Sequence, residues 1–277
     1  MIPKKVIVIT GSSDGIGAAA ARQLHKDGHQ VVIVGRSAEK TRVVATELNA
    51  DHFVADFTRL DEVRNLAADL DAAYPRIDVL ANNAGGVFGD PTKTVDGFEK
   101  TFQINHLAPF LLTTLLMNKL ITSQATVLQT STLHGGLGKK FDVGDLNLDR
   151  NFDAVRAYGQ AKLENTLFTK ELHHRFHAQG LSAAAFYPGN IATNFGSDTT
   201  SRLMRTIVSN PLTRALMLTT PEKGADQLVW LAEGTPGDTW ASGEFYSKRT
   251  AGRGLNPVAL DTGLARDLWD RSEQLLK

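Results

Sequence analysis

Short apolar runs alternate along the chain with longer segments whose apolar residues recur every three or four positions. The short runs are nearly continuous and rich in β-branched residues, which is typical of parallel strands covered on both faces. They predict strands at Val6–Thr10, Gln30–Gly35, His52–Ala55, Asp78–Ala81, Thr126–Gln129, Ser182–Tyr187 and Glu244–Tyr246. The longer segments predict helices at Gly15–Asp27, Ala38–Asn49, Leu60–Tyr74, Asp96–Leu120, Phe152–Ala178 and Glu222–Glu233.

This alternation predicts an α/β fold, a single doubly wound Rossmann domain over residues 1–277 with about seven parallel strands and helices on both faces. Two stretches depart from it: a loop rich in Gly and Asp at Gly135–Asn151, and a segment at 190–221, which we interpret as a lid over the substrate. Residues 247–277 are interpreted as a C-terminal tail of the same domain. The lid follows the end of a predicted strand, where ligands bind in open α/β sheets. Its apolar clusters favour a lipophilic substrate, unless they only pack the lid itself.

The amino-acid composition argues against several classes of protein function. The 277 residues include 30 Lys and Arg, 30 Asp and Glu, and no Cys. Zero net charge argues against nucleic-acid or anionic-membrane binding by bulk electrostatics, and the absence of Cys excludes disulfides and thiolate chemistry. No apolar run is long enough to span a bilayer or resembles a signal peptide, so the sequence predicts a cytoplasmic protein.

A glycine-rich loop follows the first predicted strand and opens the first predicted helix. Glycines at 11, 15 and 17 permit a tight turn, close approach of a pyrophosphate to the backbone, and close packing of helix on strand. The helix N-terminus then offers N–H groups and a positive dipole to phosphate. The alternative is an ordinary glycine-rich turn. The candidate cofactor-binding residues here are Gly11, Ser13, Asp14, Gly15, Ile16 and Gly17.

The end of the second predicted strand indicates which dinucleotide is bound. NAD sites place a carboxylate there, whereas this chain has Arg36 and Ser37, whose donors suit a 2′-phosphate. These donors favour NADP(H) as the cofactor. The sequence predicts no metal site, because the proposed chemistry does not require a metal. Asp14 is a mild counter-signal because its charge could repel the phosphate, although it could equally cap the following helix. An NAD-linked enzyme therefore remains an alternative.

Tyr158 and Lys162 lie one helical turn apart in the predicted helix Phe152–Ala178. A nearby ammonium favours the phenolate and would lower the pKa of the tyrosine, which suits general acid/base chemistry near neutral pH. Ser131 follows a strand end and could hydrogen-bond a substrate oxygen within reach of the tyrosine. The alternative for Tyr158 and Lys162 is a chance spacing on an exposed helix. The alternative for Ser131 is a serine that only caps a turn.

Five motifs in order make the sequence resemble the short-chain dehydrogenase/reductase family along almost its whole length. They are Thr10–Gly17, Asn82-Asn83-Ala84-Gly85, Asn105, Ser131 with Tyr158 and Lys162, and Pro188-Gly189-Asn190-Ile191-Ala192-Thr193. The stretches Thr94–Thr114, Ser131–His134 and Leu268-Trp269-Asp270-Arg271-Ser272 are most similar to its retinol-dehydrogenase-like and protochlorophyllide-reductase-like branch.

The resemblance implies a role for each matched residue. Tyr158 would exchange a proton with the substrate oxygen, Lys162 would bind the nicotinamide ribose, and Ser131 would orient the carbonyl. Asn105 would hold a water that links the lysine to solvent. Further cofactor contacts would come from Asp56, Phe57, Asn83, Ala84, Gly85, Pro188, Gly189, Ile191 and Thr193.

The sequence thus predicts an NADP(H)-dependent oxidoreductase that acts on a small-molecule alcohol or carbonyl. The alternative from another class is a non-catalytic dinucleotide-binding regulator, because fold does not fix function. In this family the helix that carries Tyr158 often pairs between subunits, so a homodimer is a further expectation. The physiological substrate, the reaction direction and the role of His134 stay open.

Overall fold

The protein is described by a computed structural model that covers residues 4–89, 91–133, 141–150, 152–189 and 220–277. Its strands are β1 Val6–Thr10, β2 Gln30–Gly35, β3 Asp51–Val54, β4 Val79–Asn82, β5 Thr126–Thr130, β6 Ser182–Tyr187, β7 Glu244–Ser247 and β8 Thr250–Ala251. Seven of the described strands follow the predicted runs to within one residue at each end, and β8 has no predicted counterpart.

These strands form one sheet in the order β3-β2-β1-β4-β5-β6-β7-β8. All neighbours from β3 to β7 pair in parallel, and only β8 is antiparallel. The chain moves outward from β1 to β3 and then returns to place β4 on the other side of β1. The carboxyl ends of β1 and β4 therefore flank the switch point, where open α/β sheets bind ligands.

The helices lie on both faces of the sheet. Their bounds are α1 Gly15–Lys26, α2 Ala38–Leu48, α3 Leu60–Ala73, α4 Lys100–Phe102, α5 Ala108–Leu115, α6 Met117–Thr122, α7 Ala154–Phe176, α8 Pro221–Glu233 and α9 Thr262–Leu275. Alternate residues of the strands point to opposite faces. One apolar core joins the sheet to α1, α2 and α8, and the other joins it to α3, α5, α7 and α9. The doubly wound prediction is confirmed, with the antiparallel β8 as an eighth strand.

The predicted helix Asp96–Leu120 is wrong in its detail. Glu99 caps the helix by accepting from the backbone N–H groups of Thr101 and Phe102, so helix begins only at Lys100. Asp96 instead accepts from the backbone N–H of Leu60 at 2.9 Å, at the start of α3. The run then passes through a π-helical turn at Gln103–Leu107 before α5.

Residues 247–277, which the sequence analysis assigns to a C-terminal tail, include the short strand β8 and the helix α9. Asp261 caps α9 through the backbone N–H of Leu264 at 2.9 Å. Leu268 and Trp269 are buried against α7, the longest helix among the described residues. The apolar spacing of α9 was available in the sequence, but its charged positions hid it.

Candidate active site

The glycine loop packs against the loop that follows β4, across the switch point. Gly11 has φ +68, and a Cβ there would lie 2.8 Å from the Cα of Ala84. A Cβ on Gly17 would lie 2.4 Å from the carbonyl oxygen of Gly11. Gly15 also has positive φ, at +55. Glycine is therefore required for this backbone path, as the loop motif predicted.

Thr10 joins the same two loops through its side chain, for which the sequence analysis predicted no separate role. Its hydroxyl accepts from the backbone N–H groups of Asn83 and Ala84, both at 3.0 Å, and donates to the carbonyl of Ala81. Asn83 donates its amide to the Thr10 carbonyl at 3.0 Å. Thr130 donates to the Asn83 side-chain oxygen at 3.3 Å, which ties β5 to the same edge.

The remaining loop residues pack between β2 and α2. A Cβ on Gly35 would lie 2.8 Å from the Ser13 side chain and 2.4 Å from the Thr41 hydroxyl, so this glycine lets α2 start close to the loop. Ile16 packs against the apolar core on the α1 side of the sheet.

The predicted 2′-phosphate site lies at the end of β2. Arg36 is exposed there, and Ser37 caps α2 by accepting from the backbone N–H of Lys40 at 3.4 Å. Asp14 caps α1 through Gly15 N–H at 2.8 Å, and its other oxygen lies 3.2 Å from Lys40 Nζ. Asp14 is thus a helix cap with a cation beside it, which weakens it as a signal against phosphate. Lys40 was missed, because its position one turn into α2 has no fixed spacing from the loop.

Asp56 and Phe57 follow β3 at the same edge of the sheet. Asp56 accepts from the backbone N–H of Thr58 at 2.9 Å, which shapes the turn before α3. The Phe57 ring is buried in the core, and its carbonyl accepts from Gln103 at 3.1 Å. A ligand at this edge can therefore meet Asp56, whereas the ring of Phe57 serves packing.

Lys162 is buried beneath the end of β5, one turn along α7 from Tyr158. Its exposed fraction is 2%, and Nζ donates to the Thr130 carbonyl at 3.1 Å. Nζ also lies 5.6 Å from the centroid of the Tyr158 ring. The predicted lysine–tyrosine neighbourhood is present, and the end of the strand supplies the acceptor that fixes the ammonium.

Ser131 lies beside them, but its hydroxyl has internal partners. Oγ donates to the Lys162 carbonyl at 2.6 Å and lies 3.0 Å from the Thr166 hydroxyl. Its single proton is thus directed to α7 and would have to turn toward a substrate oxygen before it could donate there.

Asn105 lies in the π-helical turn and reaches the same point from the opposite side. Its amide nitrogen donates to the carbonyls of Thr101 and Gly86, each at 2.9 Å, and its oxygen accepts from Gly86 N–H at 3.2 Å. A Cβ on Gly85 would lie 2.4 Å from this oxygen and 3.1 Å from Lys162 Nζ. Both amide protons are used by the protein, so any water held by Asn105 would bind its oxygen.

Burial dominates the electrostatics of the pair. It raises the pKa of the Tyr158 phenol, and the nearby Tyr187 adds to the rise. It lowers the pKa of the Lys162 ammonium to about 7. The prediction that the lysine lowers the tyrosine pKa is therefore wrong for this arrangement, since desolvation of both groups outweighs their attraction.

Pro188 and Gly189 follow β6 at the same edge, and Gly189 has φ +101, which favours glycine. Ile191, Thr193 and His134 lie outside the described residues, as does 190–219 of the predicted lid. Their predicted roles stay predictions.

A sheet with a switch point, a glycine loop and a buried lysine below a tyrosine defines a nucleotide-binding α/β protein. A family model described as short chain dehydrogenase matches residues 5–203. The chain belongs to the short-chain dehydrogenase family, whose members are oxidoreductases that use nicotinamide dinucleotides.

Two relatives indicate which branch of the family this chain resembles. A protein from Streptomyces sp. (strain C5), provisionally assigned as a daunorubicin C-13 ketoreductase, is 38% identical over 98% of this chain and 92% of its own. Retinol dehydrogenase 14 of Mus musculus is 33% identical over 98% of this chain and 86% of its own. The predicted retinol-dehydrogenase-like branch is confirmed.

Solved structures agree on the fold. A crystal structure of an uncharacterised protein from Mycobacterium Paratuberculosis superposes with a TM-score of 0.74, 29% identity and coverage of 99% and 95% of the two chains. A metagenomic short-chain oxidoreductase in complex with NADP gives a TM-score of 0.62, 26% identity and coverage of 86% and 94%. Among the described residues, no helix is long and apolar enough to cross a membrane.

Proposed function

We propose that the protein is an NADP(H)-dependent oxidoreductase that interconverts a lipophilic carbonyl compound and its alcohol. The observation that carries this proposal is the convergence of Lys162, Asn105 and Gly85 below Tyr158 at the end of β5. Burying a lysine side chain is costly, and the described partner of Lys162 Nζ is a backbone carbonyl, that of Thr130.

The residues at the switch point fit a dinucleotide. Gly11 and Gly17 let the loop backbone pack closely where a Cβ would collide with neighbouring protein atoms, and the first turn of α1 presents its free backbone N–H groups at that loop. Arg36 and Lys40 place two cations at the end of β2, which suits a 2′-phosphate better than a bare ribose. The structure of the metagenomic relative, which contains NADP, supports the same choice.

The nicotinamide group supplies or accepts the hydride, and this chain supplies the proton and the alignment. In the direction of reduction, Tyr158 Oη donates its proton to the carbonyl oxygen as that oxygen becomes a hydroxyl. A raised pKa keeps the phenol protonated at neutral pH, so the proton is present for transfer, while the same rise makes the phenol a weaker acid. Lys162 binds the nicotinamide ribose hydroxyls, and Ser131 turns from the Lys162 carbonyl to orient the substrate oxygen.

The relatives support a lipophilic substrate, since retinol and daunorubicin both carry extended apolar frameworks. The predicted lid at 190–221 would add apolar surface above the site. The homodimer and the cytoplasmic location likewise stay proposals. Because α9 covers part of α7, a homodimer would need other surface of that helix, and light scattering of the purified protein tests it.

The matched test is Tyr158→Phe, which removes only the phenolic oxygen. We expect the variant to lose at least a thousandfold in NADPH-dependent reduction of all-trans-retinal or polycyclic aryl ketones. It should bind NADPH within about twofold of wild type by fluorescence titration. Full activity in the variant would overturn the mechanism, and failure of the wild-type protein to bind either NADPH or NADH would overturn the function.

A further inference from the structure

The segment 252–261 joins β8 to α9, and nothing proposed above uses it. Its first turn is closed by the backbone, since Leu255 N–H donates to the Gly252 carbonyl at 3.2 Å. Ala259 is fully buried, and Leu255 packs against the apolar core on the α7 side of the sheet. The segment is therefore held in place on the side of the sheet that carries Tyr158.

This segment lies directly against Leu133, the second residue after Ser131. Gly254 has φ +73, and a Cβ built there would lie 2.5 Å from Leu133 Cδ2 and 3.8 Å from its Cβ. The shorter distance is a collision, and the atom that is hit is the far end of a flexible side chain. Any side chain at 254 would therefore turn Leu133 away from the segment, whereas glycine lets the two pack together.

Leu133 borders the place where the substrate oxygen would react. Two residues of chain span at most about 7 Å, so its Cα lies within that distance of the Ser131 Cα. Ser131 is anchored on two sides, because its N–H donates to the Phe186 carbonyl at 2.8 Å and its hydroxyl donates to the Lys162 carbonyl at 2.6 Å. Leu133 is only partly buried, so some of its apolar surface is accessible to a ligand at this edge.

Tyr187 faces the same region from β6. Phe186 packs in the core on the α8 side of the sheet, so the next side chain of the strand points to the α7 side. Tyr187 is also partly buried, and it follows the residue whose carbonyl holds Ser131. The edge around Ser131 thus carries two partly buried side chains, Leu133 and Tyr187, whose apolar surface suits a ring or a branched group beside the carbonyl.

We propose that Leu133 and Gly254 determine which carbonyl compounds the site accepts. Leu133 contacts the apolar group attached to the carbonyl carbon, and Gly254 lets this leucine lie back against the segment instead of narrowing the site. The substrate class is then a ketone whose second substituent is an apolar ring or branched group. The inference rests on the proposed function, since it names the substrate class of that same site.

Backbone conformation alone does not account for glycine at 254. Gly252 has nearly the same conformation, with φ +70, and no atom lies within 4 Å of a Cβ built there. Both positions need a residue that tolerates positive φ, which Asn or Asp can also supply, but only position 254 excludes a Cβ as well. The two glycines therefore separate backbone strain from contact with Leu133.

The matched variants are Gly254→Ala and Gly252→Ala, which carry the same backbone strain. Leu133→Ala, alone and combined with Gly254→Ala, removes the atoms that the new methyl group would hit. The substrates are naphthaldehyde, acetonaphthone and phenyl naphthyl ketone, whose second substituent on the carbonyl carbon is hydrogen, methyl and phenyl in turn. The readouts are kcat/KM for each substrate, the cofactor dissociation constant and the thermal midpoint, measured with whichever of NADPH and NADH the wild type binds more tightly.

We expect Gly254→Ala to lower the ratio of kcat/KM for phenyl naphthyl ketone to that for naphthaldehyde about tenfold, because the displaced Leu133 narrows the site. Gly252→Ala should lose the same thermal stability but leave this ratio unchanged. Leu133→Ala should raise the ratio, and adding Gly254→Ala to it should have no further effect. Cofactor affinity should be unchanged in all four variants.

Equal ratios in Gly254→Ala and Gly252→Ala would overturn the inference. So would an unchanged ratio in Leu133→Ala, or an effect of Gly254→Ala that persists in the Leu133→Ala background. Wild-type protein that binds a dinucleotide but reduces neither ketone would overturn the substrate class and leave the cofactor site standing. Binding of neither dinucleotide would refute the proposed function itself.

Discussion

Gly85→Ala adds a single methyl group at the point where Asn105 and Lys162 meet. The new Cβ would lie 2.4 Å from the Asn105 side-chain oxygen, whereas ordinary contact begins at 3.4 Å, so one of them moves by about 1 Å. Asn105 is held by three hydrogen bonds, to Thr101 and to both backbone groups of Gly86. Breaking them costs about 3 kcal/mol at about 1 kcal/mol each.

Two assays measure the consequences. In a protein of 277 residues, whose unfolding entropy is about 2.1 cal/mol/K per residue, 3 kcal/mol lowers the thermal midpoint by about 5 °C. A displacement of about 1 Å near the reacting groups reduces kcat/KM about a hundredfold. NADPH-dependent reduction of all-trans-retinal and a thermal melt, run on the same preparation, report both quantities.

The control is Gly97→Ala, in the exposed turn before α4. Gly97 has φ +86, and no atom lies within 4 Å of a Cβ built there. The Gly97→Ala variant should lose about 1 kcal/mol of stability to backbone strain and should keep full activity. If Gly85→Ala retains kcat/KM within twofold of wild type, the Asn105–Lys162 arrangement is not needed for turnover and our reasoning about the site is wrong.

Two further predictions concern charge. Arg36→Ala should raise the NADPH dissociation constant more than tenfold and leave NADH unchanged, because a charge-assisted contact contributes about 1.5–3 kcal/mol; Lys40→Ala should do the same more weakly. Tighter binding of NADH than NADPH by wild type would refute the cofactor assignment. Burial raises the pKa of Glu164 to about 8 from its ordinary value of 4.5. Between these two pH values the folded state keeps a proton on Glu164 that the unfolded state has already lost. Stability should therefore fall as pH rises through that range, and Glu164→Gln should remove the fall in urea unfolding at pH 5.5 and 8; parallel curves for the two proteins would contradict it.

The sheet and its glycine loop could be predicted from the sequence because their signals are local. β-branched runs indicate the strands, and Gly11 and Gly17 are needed wherever backbones approach so closely. The end of β2 was predicted for the same reason, since Arg36 stands at a fixed place after a strand. Each of these features is determined by residues that are close together in the sequence.

The features that were missed depend on distant partners. Asp96 looks like part of a helix, yet it accepts from the backbone N–H of Leu60 at the start of α3, 36 residues earlier in the chain. Lys40 meets Asp14 only because α1 and α2 begin side by side. The tyrosine pKa was predicted in the wrong direction because spacing shows that two groups are neighbours but not that both are dry.

The late position of α9 along the chain has a consequence for how the protein is made. During synthesis every parallel strand leaves the ribosome before α9, whereas a domain generally folds as a unit. At that stage the rings of Phe110 and Phe168 lack the Trp269 that covers them, and His106 lacks the Ser272 hydroxyl that lies 3.0 Å from its Nε2. The native aromatic cluster around Trp269 therefore cannot close until α9 has emerged from the ribosome. Quality-control factors that recognise exposed apolar surface have that interval in which to act.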